Sequence, residues 1–279
     1  MKLFDNFELE PFPEPDLIRL KYPVLLCHGF GSVTSLLKPT PLFEVCLLMR
    51  RHGVVAFAPN IVPYATIETR SEEWIERIRT LTDRYGFEKV NLVAHSMGGL
   101  DLRYVISHKE IRERVASLTT VATPHHGTSL AEWILDTPEL VLDKLGEFFN
   151  WFGNQVYRGH KSNSLEAVRQ LTRNNVELKF NPETPDPKGV PLFSWSSAVG
   201  KGTDWPIQAL LKYQNGIIYE NEGMNDGFVS AKSAVWGEHL GTTPLSHLDQ
   251  LMINTSGERN RMVSEFWLRL LYTLQKQGF

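Results

Sequence analysis

A serine that could act as a nucleophile lies in the run AHSMG, residues 94–98, at the end of an apolar stretch. A chain that turns this sharply from strand to helix strains the central serine and exposes its hydroxyl. Side chains two residues on either side nearly touch, so they must be small. Ala94 and Gly98 meet this demand, although glycine is commoner at the first position. The pattern favours Ser96 as a nucleophile over an ordinary strand and glycine-rich turn.

A serine hydroxyl is a poor nucleophile at neutral pH, so it needs a base and an acid that orients the base. Asp226 lies in an Asn-Asp-Gly turn that holds its carboxylate on a loop, and we predict it as this acid. The alternative is a turn aspartate with local hydrogen bonds only. We predict His247, close before the final helical stretch, as the base, in the chain order Ser, Asp, His. His239 is its nearest competitor.

An attacked carbonyl becomes an oxyanion, which two backbone N–H groups would stabilise by roughly 3 kcal/mol each. The turn supplies one of them, the N–H of Met97 at the start of the helix. We predict the other from Phe30, in the loop HGFG (residues 28–31) after the first apolar run. The glycines let this loop approach the serine closely. His28 is interpreted as a hydrogen-bonding scaffold residue rather than an acid–base group.

Short apolar runs alternate with helix-like stretches, which predicts an α/β fold with a mostly parallel sheet flanked by helices. The strand-like runs are residues 24–27, 54–58, 90–94, 115–122 and 191–195. Helical spacing marks residues 42–51, 72–85 (with Ser71 as N-cap) and 258–275. The chain, residues 1–279, is predicted to be a single domain.

The alternation breaks between residues 129 and 189, where helical stripes continue without a convincing strand. We predict a helical cap or lid inserted over the sheet, not a separate domain. Within it, residues 140–152 form an unusually apolar helical stretch. Such a helix is either packed on both sides or part of a mobile lid that turns its apolar face to the substrate.

Composition argues against several classes of partner. The formal net charge is −3, from 29 basic and 32 acidic residues, which gives no electrostatic footprint for nucleic acid or an anionic membrane surface. Two cysteines provide neither a disulfide framework nor metal-ligand spacing. No stretch approaches the ~18 apolar residues of a membrane span. No basic segment followed by an apolar one opens the sequence, which predicts either retention inside the cell or a leader already removed.

Six motifs, taken together and in order, resemble the bacterial triacylglycerol lipases of the pseudomonad and Proteus type. They are YPVLLCHG (22–29), VNLVAHSMGG (90–99) with RYV (103–105), ATPHHGT (122–128), FSWS (193–196), NDGFV (225–229) and HLDQ (247–250). The resemblance implies an α/β-hydrolase fold, a helical lid over the serine and hydrolysis of carboxylic esters. It also implies an acyl ester or lipid substrate, contact with a lipid–water interface, no cofactor for the chemistry, and the triad Ser96, Asp226 and His247.

The same resemblance implies a structural Ca²⁺ site near the candidate base. Asp249 matches one carboxylate ligand, and the carbonyls of Ile253 and Gly257 match two backbone ligands. Asp204 is the best match for a second carboxylate, although the spacing there differs from the family's. Two carboxylates and carbonyl oxygens suit a hard cation such as Ca²⁺. The alternative is that Asp249 is an ordinary surface or capping acid.

Three functions are compatible with these residues. The first is a lipase that hydrolyses acylglycerols and other fatty-acyl esters through an acyl-enzyme. The second is a short-chain esterase or thioesterase with the same triad. The third is a non-catalytic homologue that binds an apolar ligand under its cap, and the intact set of triad candidates argues against it. The resemblance favours the first function and implies secretion.

Overall fold

Six strands form one central sheet in the computed structural model, which describes residues 16–31, 40–138, 161–252 and 257–279. The strands are β1 (Val24–Cys27), β2 (Ala56–Phe57), β3 (Val90–His95), β4 (Val115–Val121), β5 (Leu192–Ser197) and β6 (Glu238–Thr243). They lie in the order β2-β1-β3-β4-β5-β6, and every neighbouring pair is parallel. The predicted α/β fold class is confirmed.

The central strands are continuous apolar runs because helices cover both faces of the sheet. Every residue of β1, β3 and β4 is buried. The register places Ala94 of β3 between Cys27 of β1 and Thr120 of β4. The carboxyl ends of these three strands therefore meet at one edge, where the loops that follow them can share a site.

The described ranges also contain ten α-helices. They are α1 (Phe43–Arg51), α2 (Ile67–Arg79), α3 (Gly98–Ser107), α4 (Lys109–Arg112), α5 (Ser129–Asp136), α6 (Lys161–Gln170), α7 (Arg173–Asn175), α8 (Asn181–Glu183), α9 (Lys212–Glu222) and α10 (Gly257–Lys276). None of the helices in the described ranges has the length and apolar character needed to cross a membrane.

The core consists of two apolar layers, one on each face of the sheet. Adjacent residues of a strand point to opposite faces, and β1 shows this directly. Leu26 packs in one layer with Trp267 of α10, whereas Leu25 packs in the other with Trp74 of α2. Both tryptophans are fully buried. The sheet is thus held from both sides, which leaves its carboxyl edge as the place for a site.

Two elements differ from the sequence prediction. Helix α2 begins at Ile67 and is capped by Thr66, whose hydroxyl accepts the Thr69 N–H at 3.4 Å. Ser71, the predicted cap, lies inside the helix, and its hydroxyl donates to the Asp101 carbonyl at 3.1 Å instead. Strand β6 was not predicted, because only one of its six residues is buried and this edge strand has no apolar run.

The insertion predicted at residues 129–189 falls between β4 and β5, and its described part consists of helices and turns. Gln170 at the end of α6 attaches this part to α2. Its Oε1 accepts the Ile67 N–H at 2.7 Å, and its Nε2 donates to the Glu68 carboxylate at 2.8 Å. The apolar stretch 140–152 lies outside the described residues. The single domain and the role of the insertion as a lid stay predictions.

Candidate active site

Ser96 lies at the turn between β3 and α3, and its backbone is strained. Its φ of +58° is in the left-handed region, which residues other than glycine rarely adopt. The turn is held from β4: Ser96 N–H donates to Val121 O at 2.9 Å, and Thr123 Oγ1 donates to Ser96 O at 2.7 Å. A side chain at Gly98 would come within 2.8 Å of carbonyl oxygens at the end of β1. Close packing around the turn therefore explains its small residues.

Asp226 and His247, the predicted acid and base, are brought together. His247 Nδ1 donates to Asp226 Oδ2 at 2.7 Å, and His247 N–H donates to the Asp226 carbonyl at 3.0 Å. Asp226 Oδ1 accepts the N–H groups of Phe228 and Val229 at 2.9 and 2.8 Å. The carboxylate thus makes the local hydrogen bonds expected of a turn aspartate, and it also orients the imidazole.

The His247 ring is packed between two other rings. Phe228 stacks on it with a centroid distance of 4.7 Å, and His95 lies 4.4 Å away on a tilted plane. His95 immediately precedes Ser96, so this contact brings the candidate base to the strained turn. Ser96 Oγ makes no hydrogen bond to His247 in the described part of the chain. Catalytic hydrogen bonds of this kind often tighten only when substrate binds.

The loop that follows β1 lies directly against the serine turn. A side chain at Gly29 would meet the Ser96 Cβ at 2.6 Å and the Met97 backbone nitrogen at 2.9 Å. This contact places the two predicted oxyanion donors, the N–H groups of Phe30 and Met97, on neighbouring stretches of backbone. The Phe30 ring meets Tyr64 edge-on at 5.4 Å, which fixes the outer side of the loop.

His28 holds this loop as a neutral scaffold residue, as the sequence predicts. Its Nε2 accepts the Ile61 N–H at 3.3 Å, so Nδ1 carries the proton and donates to Gly29 O at 3.0 Å. Burial, with a smaller effect from the charge of Arg70, lowers the pKa of His28 to about 3. An imidazole with this pKa is uncharged at neutral pH.

A buried ion pair behind the loop was missed by the sequence analysis. Arg70 of α2 donates from Nε to Asp101 Oδ2 at 2.9 Å and from Nη2 to the His28 carbonyl at 2.6 Å, and both charged side chains are fully buried. Burial raises the pKa of Asp101 to about 6, against the opposing effect of Arg70. The pair links α3, which carries the serine turn, to residues 28–31, the oxyanion loop. Asp101 within the otherwise apolar start of α3 was the only sequence signal for it.

His239, the competing base, lies elsewhere. It belongs to the edge strand β6, where its ring nitrogens lie 3.4 and 3.5 Å from the hydroxyls of Ser194 and Ser196. The Asp226 carboxylate is hydrogen-bonded to His247 instead. The geometry therefore favours His247 over His239 as the base.

One of the residues predicted to bind calcium has a charged partner in the described structure. Asp249 Oδ2 forms an ion pair with Arg259 at 3.1 Å, so the charge of this carboxylate is already balanced. Asp204 is exposed on a loop that lines a groove with Lys201. Gly257 begins α10, and Ile253 lies outside the described residues. Within the described ranges, no three His, Cys, Asp or Glu side chains gather as a metal site.

The sequence is similar to several bacterial proteins along most of its length. It is 27% identical to a triacylglycerol lipase of Pseudomonas fragi, over 88% of this chain and 93% of the lipase. It is 26% identical to a triacylglycerol lipase of Pseudarthrobacter phenanthrenivorans, over 83% of this chain and 88% of that protein.

Solved structures and a family model agree with the observed architecture. A lipase of Bacillus licheniformis superimposes with a TM-score of 0.65 at 22% identity, over 94% of this chain and 96% of the lipase. A metagenomic carboxyl esterase superimposes with a TM-score of 0.70 at 17% identity, over 97% and 80% of the two chains. The family model described as alpha/beta hydrolase fold matches residues 22–214. The chain therefore belongs to the alpha/beta hydrolase fold family.

Proposed function

We propose that this protein is a serine carboxylic ester hydrolase that acts as a lipase on acylglycerols and other fatty-acyl esters. The observation that carries the proposal is the 2.7 Å hydrogen bond between His247 and Asp226 beside the strained turn of Ser96. The similarity to triacylglycerol lipases over more than four-fifths of the chain supports a lipid ester as the substrate.

The reaction runs in two steps through an acyl-enzyme. Ser96 Oγ attacks the ester carbonyl carbon while His247 Nε2 accepts its proton, and the N–H groups of Phe30 and Met97 bind the oxyanion. His247 then protonates the leaving alcohol. In the second step His247 activates a water molecule that attacks the acyl carbon, and Ser96 is released with its proton restored.

Asp226 acts on the base and not on the substrate. Its Oδ2 accepts the Nδ1 proton of His247, which leaves Nε2 with the free lone pair that the proposed mechanism needs for the serine proton. The same carboxylate stabilises the imidazolium that forms when the serine proton is transferred. Because Oδ1 is held by two backbone N–H groups, the orientation is set before substrate arrives.

An ester series tests this proposal. We expect hydrolysis of p-nitrophenyl esters from acetate to palmitate, and activity on emulsified triacylglycerol that rises when the substrate exceeds its solubility. Ser96→Ala should lower turnover by about 10⁴-fold or more, with an unchanged melting temperature, and should abolish labelling by a fluorophosphonate probe.

Two results would change the assignment. Maximal activity on acetate with none on emulsions would make the protein a short-chain esterase with the same residues. A Ser96→Ala variant that keeps most of its rate, or wild type that does not react with the fluorophosphonate, would remove the hydrolase mechanism.

A further inference from the structure

Three separate segments meet around the buried carboxylate of Asp249, two residues after the candidate base. Asp249 Oδ1 accepts a hydrogen bond from Gln208 Nε2 at 2.7 Å. Asp249 Oδ2 accepts the Ser246 N–H at 2.8 Å and forms the ion pair with Arg259 Nε at 3.1 Å. The aspartate side chain is only 3% exposed, so this charge needs the partners it has.

The guanidinium of Arg259 also binds the backbone on both sides of this carboxylate. Its Nη1 donates to the Pro244 carbonyl at 3.4 Å, and its Nη2 donates to the Pro206 carbonyl at 3.1 Å. Arg259 lies in the first turn of α10, where the helix dipole disfavours a cation. Asp249 and the two carbonyls together supply the negative charge that offsets this cost.

These contacts enclose the segment that carries His247. Pro244 and Ser246 precede the histidine, and Asp249 follows it, so Arg259 and its carboxylate hold the segment at both ends. The contacts of one planar guanidinium fix the segment against α10. Displacement of the segment would move the His247 imidazole away from Asp226 and from the serine turn.

We propose that Arg259 is a positioning residue for His247 and provides, through its guanidinium, the cation that binds Asp249, so that no metal ion is needed there. This inference rests on the proposed function, because the positioned residue is its base. One carboxylate balances one guanidinium, and a divalent ion bound to the same oxygens would stand against the charge of Arg259. In this proposal the Arg259 side chain takes the place of the calcium ion predicted at Asp249.

The first test measures metal content and thermal stability of the full chain. After purification without added metal, we expect less than about 0.1 calcium ion per chain, because the charge of Arg259 would repel a divalent cation at Asp249. We also expect the same melting temperature in EDTA and in millimolar CaCl₂. One calcium per chain, or a melting temperature that falls in EDTA and returns with Ca²⁺, would overturn the proposal. Neither readout depends on ester hydrolysis, so this test stands even if the proposed function fails.

The second test uses Arg259→Ala, with Arg261→Ala as the matched control. Arg261 lies on the same helix turn, and its one ion pair among the described residues is with the exposed Glu265 at 3.5 Å. We expect Arg259→Ala to lower kcat by roughly 10- to 100-fold with KM changed by less than about threefold, since a misplaced base costs rate and not binding. Arg261→Ala should match wild type.

Rescue separates positioning from a general loss of structure. A groove of about 420 Å³ opens beside Arg259, so a small cation can reach the vacated place. We expect tens of millimolar guanidinium to restore part of the kcat of Arg259→Ala, whereas equal NaCl does not. Arg259→Lys should be intermediate, because an ammonium cannot reproduce the guanidinium contacts. Equal kcat in the Arg259 and Arg261 variants, or a loss that guanidinium does not reduce, would overturn the proposal.

Discussion

The two oxygens of Asp226 have different tasks. Oδ1 accepts the N–H groups of Phe228 and Val229 and thereby shapes the loop, whereas Oδ2 accepts the proton of His247 Nδ1. The loop bonds do not compete with the imidazole for an acceptor, because they use the other carboxylate oxygen. Loop geometry and imidazole tautomer can therefore be changed separately by substitution at this one residue.

Asp226→Asn is expected to separate these tasks. The two loop N–H groups require an acceptor at the Oδ1 position, so the amide NH₂ must face His247. It would donate to Nδ1 and leave the proton on Nε2, which could then not accept the serine proton. We expect kcat to fall by about 10³- to 10⁴-fold with little change in melting temperature. Asp226→Ala should lower both. Retention of more than a tenth of wild-type kcat in Asp226→Asn would contradict the assigned role.

Gly29 permits the closest backbone approach in the site. An added Cβ would meet Ser96 Cβ at 2.6 Å and Met97 N at 2.9 Å, so Gly29→Ala must push the oxyanion loop away from the turn. We expect kcat to fall by about 10²- to 10³-fold, the loss typical of one oxyanion donor. The matched control is Gly216→Ala in α9, where the added group meets nothing within 4 Å. Similar kcat values for the two variants would argue against this placement of the donors.

Helices α2 and α3 are joined by charge as well as by packing. Trp74 of α2 donates from Nε1 to the Asp101 carboxylate at 3.2 Å, and Arg70 pairs with the same oxygen. Arg70 also binds the Val62 carbonyl at 2.8 Å, so α2 holds both the oxyanion loop and the segment between β2 and α2. The helix that covers the sheet thus also supports the site.

Arg70→Leu should lower the free energy of unfolding by about 3–5 kcal/mol, because it leaves the Asp101 charge buried without its partner. The double variant Arg70→Leu, Asp101→Leu should recover part of this loss. It should not recover kcat, because the His28 carbonyl loses its donor in both variants. Urea unfolding and ester kinetics on the same samples give both quantities. Full recovery of kcat in the double variant would contradict the role of Arg70 in holding the loop.

Elements with a strong local signal were predictable, and those that depend on distant partners were not. The continuous apolar runs of β1, β3 and β4 directly predict buried strands. In a parallel sheet of this type the nucleophile, acid and base follow one another along the chain, so Ser96, Asp226 and His247 could be chosen by their order. By contrast, the edge strand β6 has no apolar run, and Arg70 and Asp101 lie 31 residues apart with no pattern that links them. The ion pair between Asp249 and Arg259 likewise joins residues that no sequence pattern links. Residue matching alone therefore predicted calcium at Asp249.

Three buried histidines follow one another along the carboxyl edge of the sheet. His28 follows β1, His95 ends β3 and His125 follows β4. Burial lowers the pKa of each of them, with nearby positive or imidazole charge as a smaller cause. They are therefore neutral in the folded protein at pH values where the unfolded chain is protonated.

Stability is expected to fall as pH falls below about 6.5, because the unfolded chain then binds protons that the native histidines do not. Each histidine contributes a slope of about 1.4 kcal/mol per pH unit. Asp101 acts in the opposite direction below about pH 6, since its raised pKa lets the native state bind the proton first. These four groups are therefore expected to contribute a combined slope of roughly 2.7 kcal/mol per pH unit between pH 6 and 5.

Urea unfolding at half-unit pH steps measures this slope. His125→Gln should reduce the slope by the contribution of one histidine, about 1.4 kcal/mol per pH unit, without a change at the triad residues. His108→Gln, at an exposed histidine, is the control and should leave the slope as in wild type. An unfolding free energy that stays constant from pH 7 to 5 would contradict the buried neutral imidazoles.

The left-handed backbone of Ser96 has a consequence for protein engineering. A residue with a side chain costs about 1–2 kcal/mol in this conformation, and glycine does not. Ser96→Gly should therefore raise the melting temperature while it removes the nucleophile. A directed-evolution campaign that ranks variants of this protein by thermal stability alone would enrich inactive molecules, and selection for turnover must accompany it from the first round.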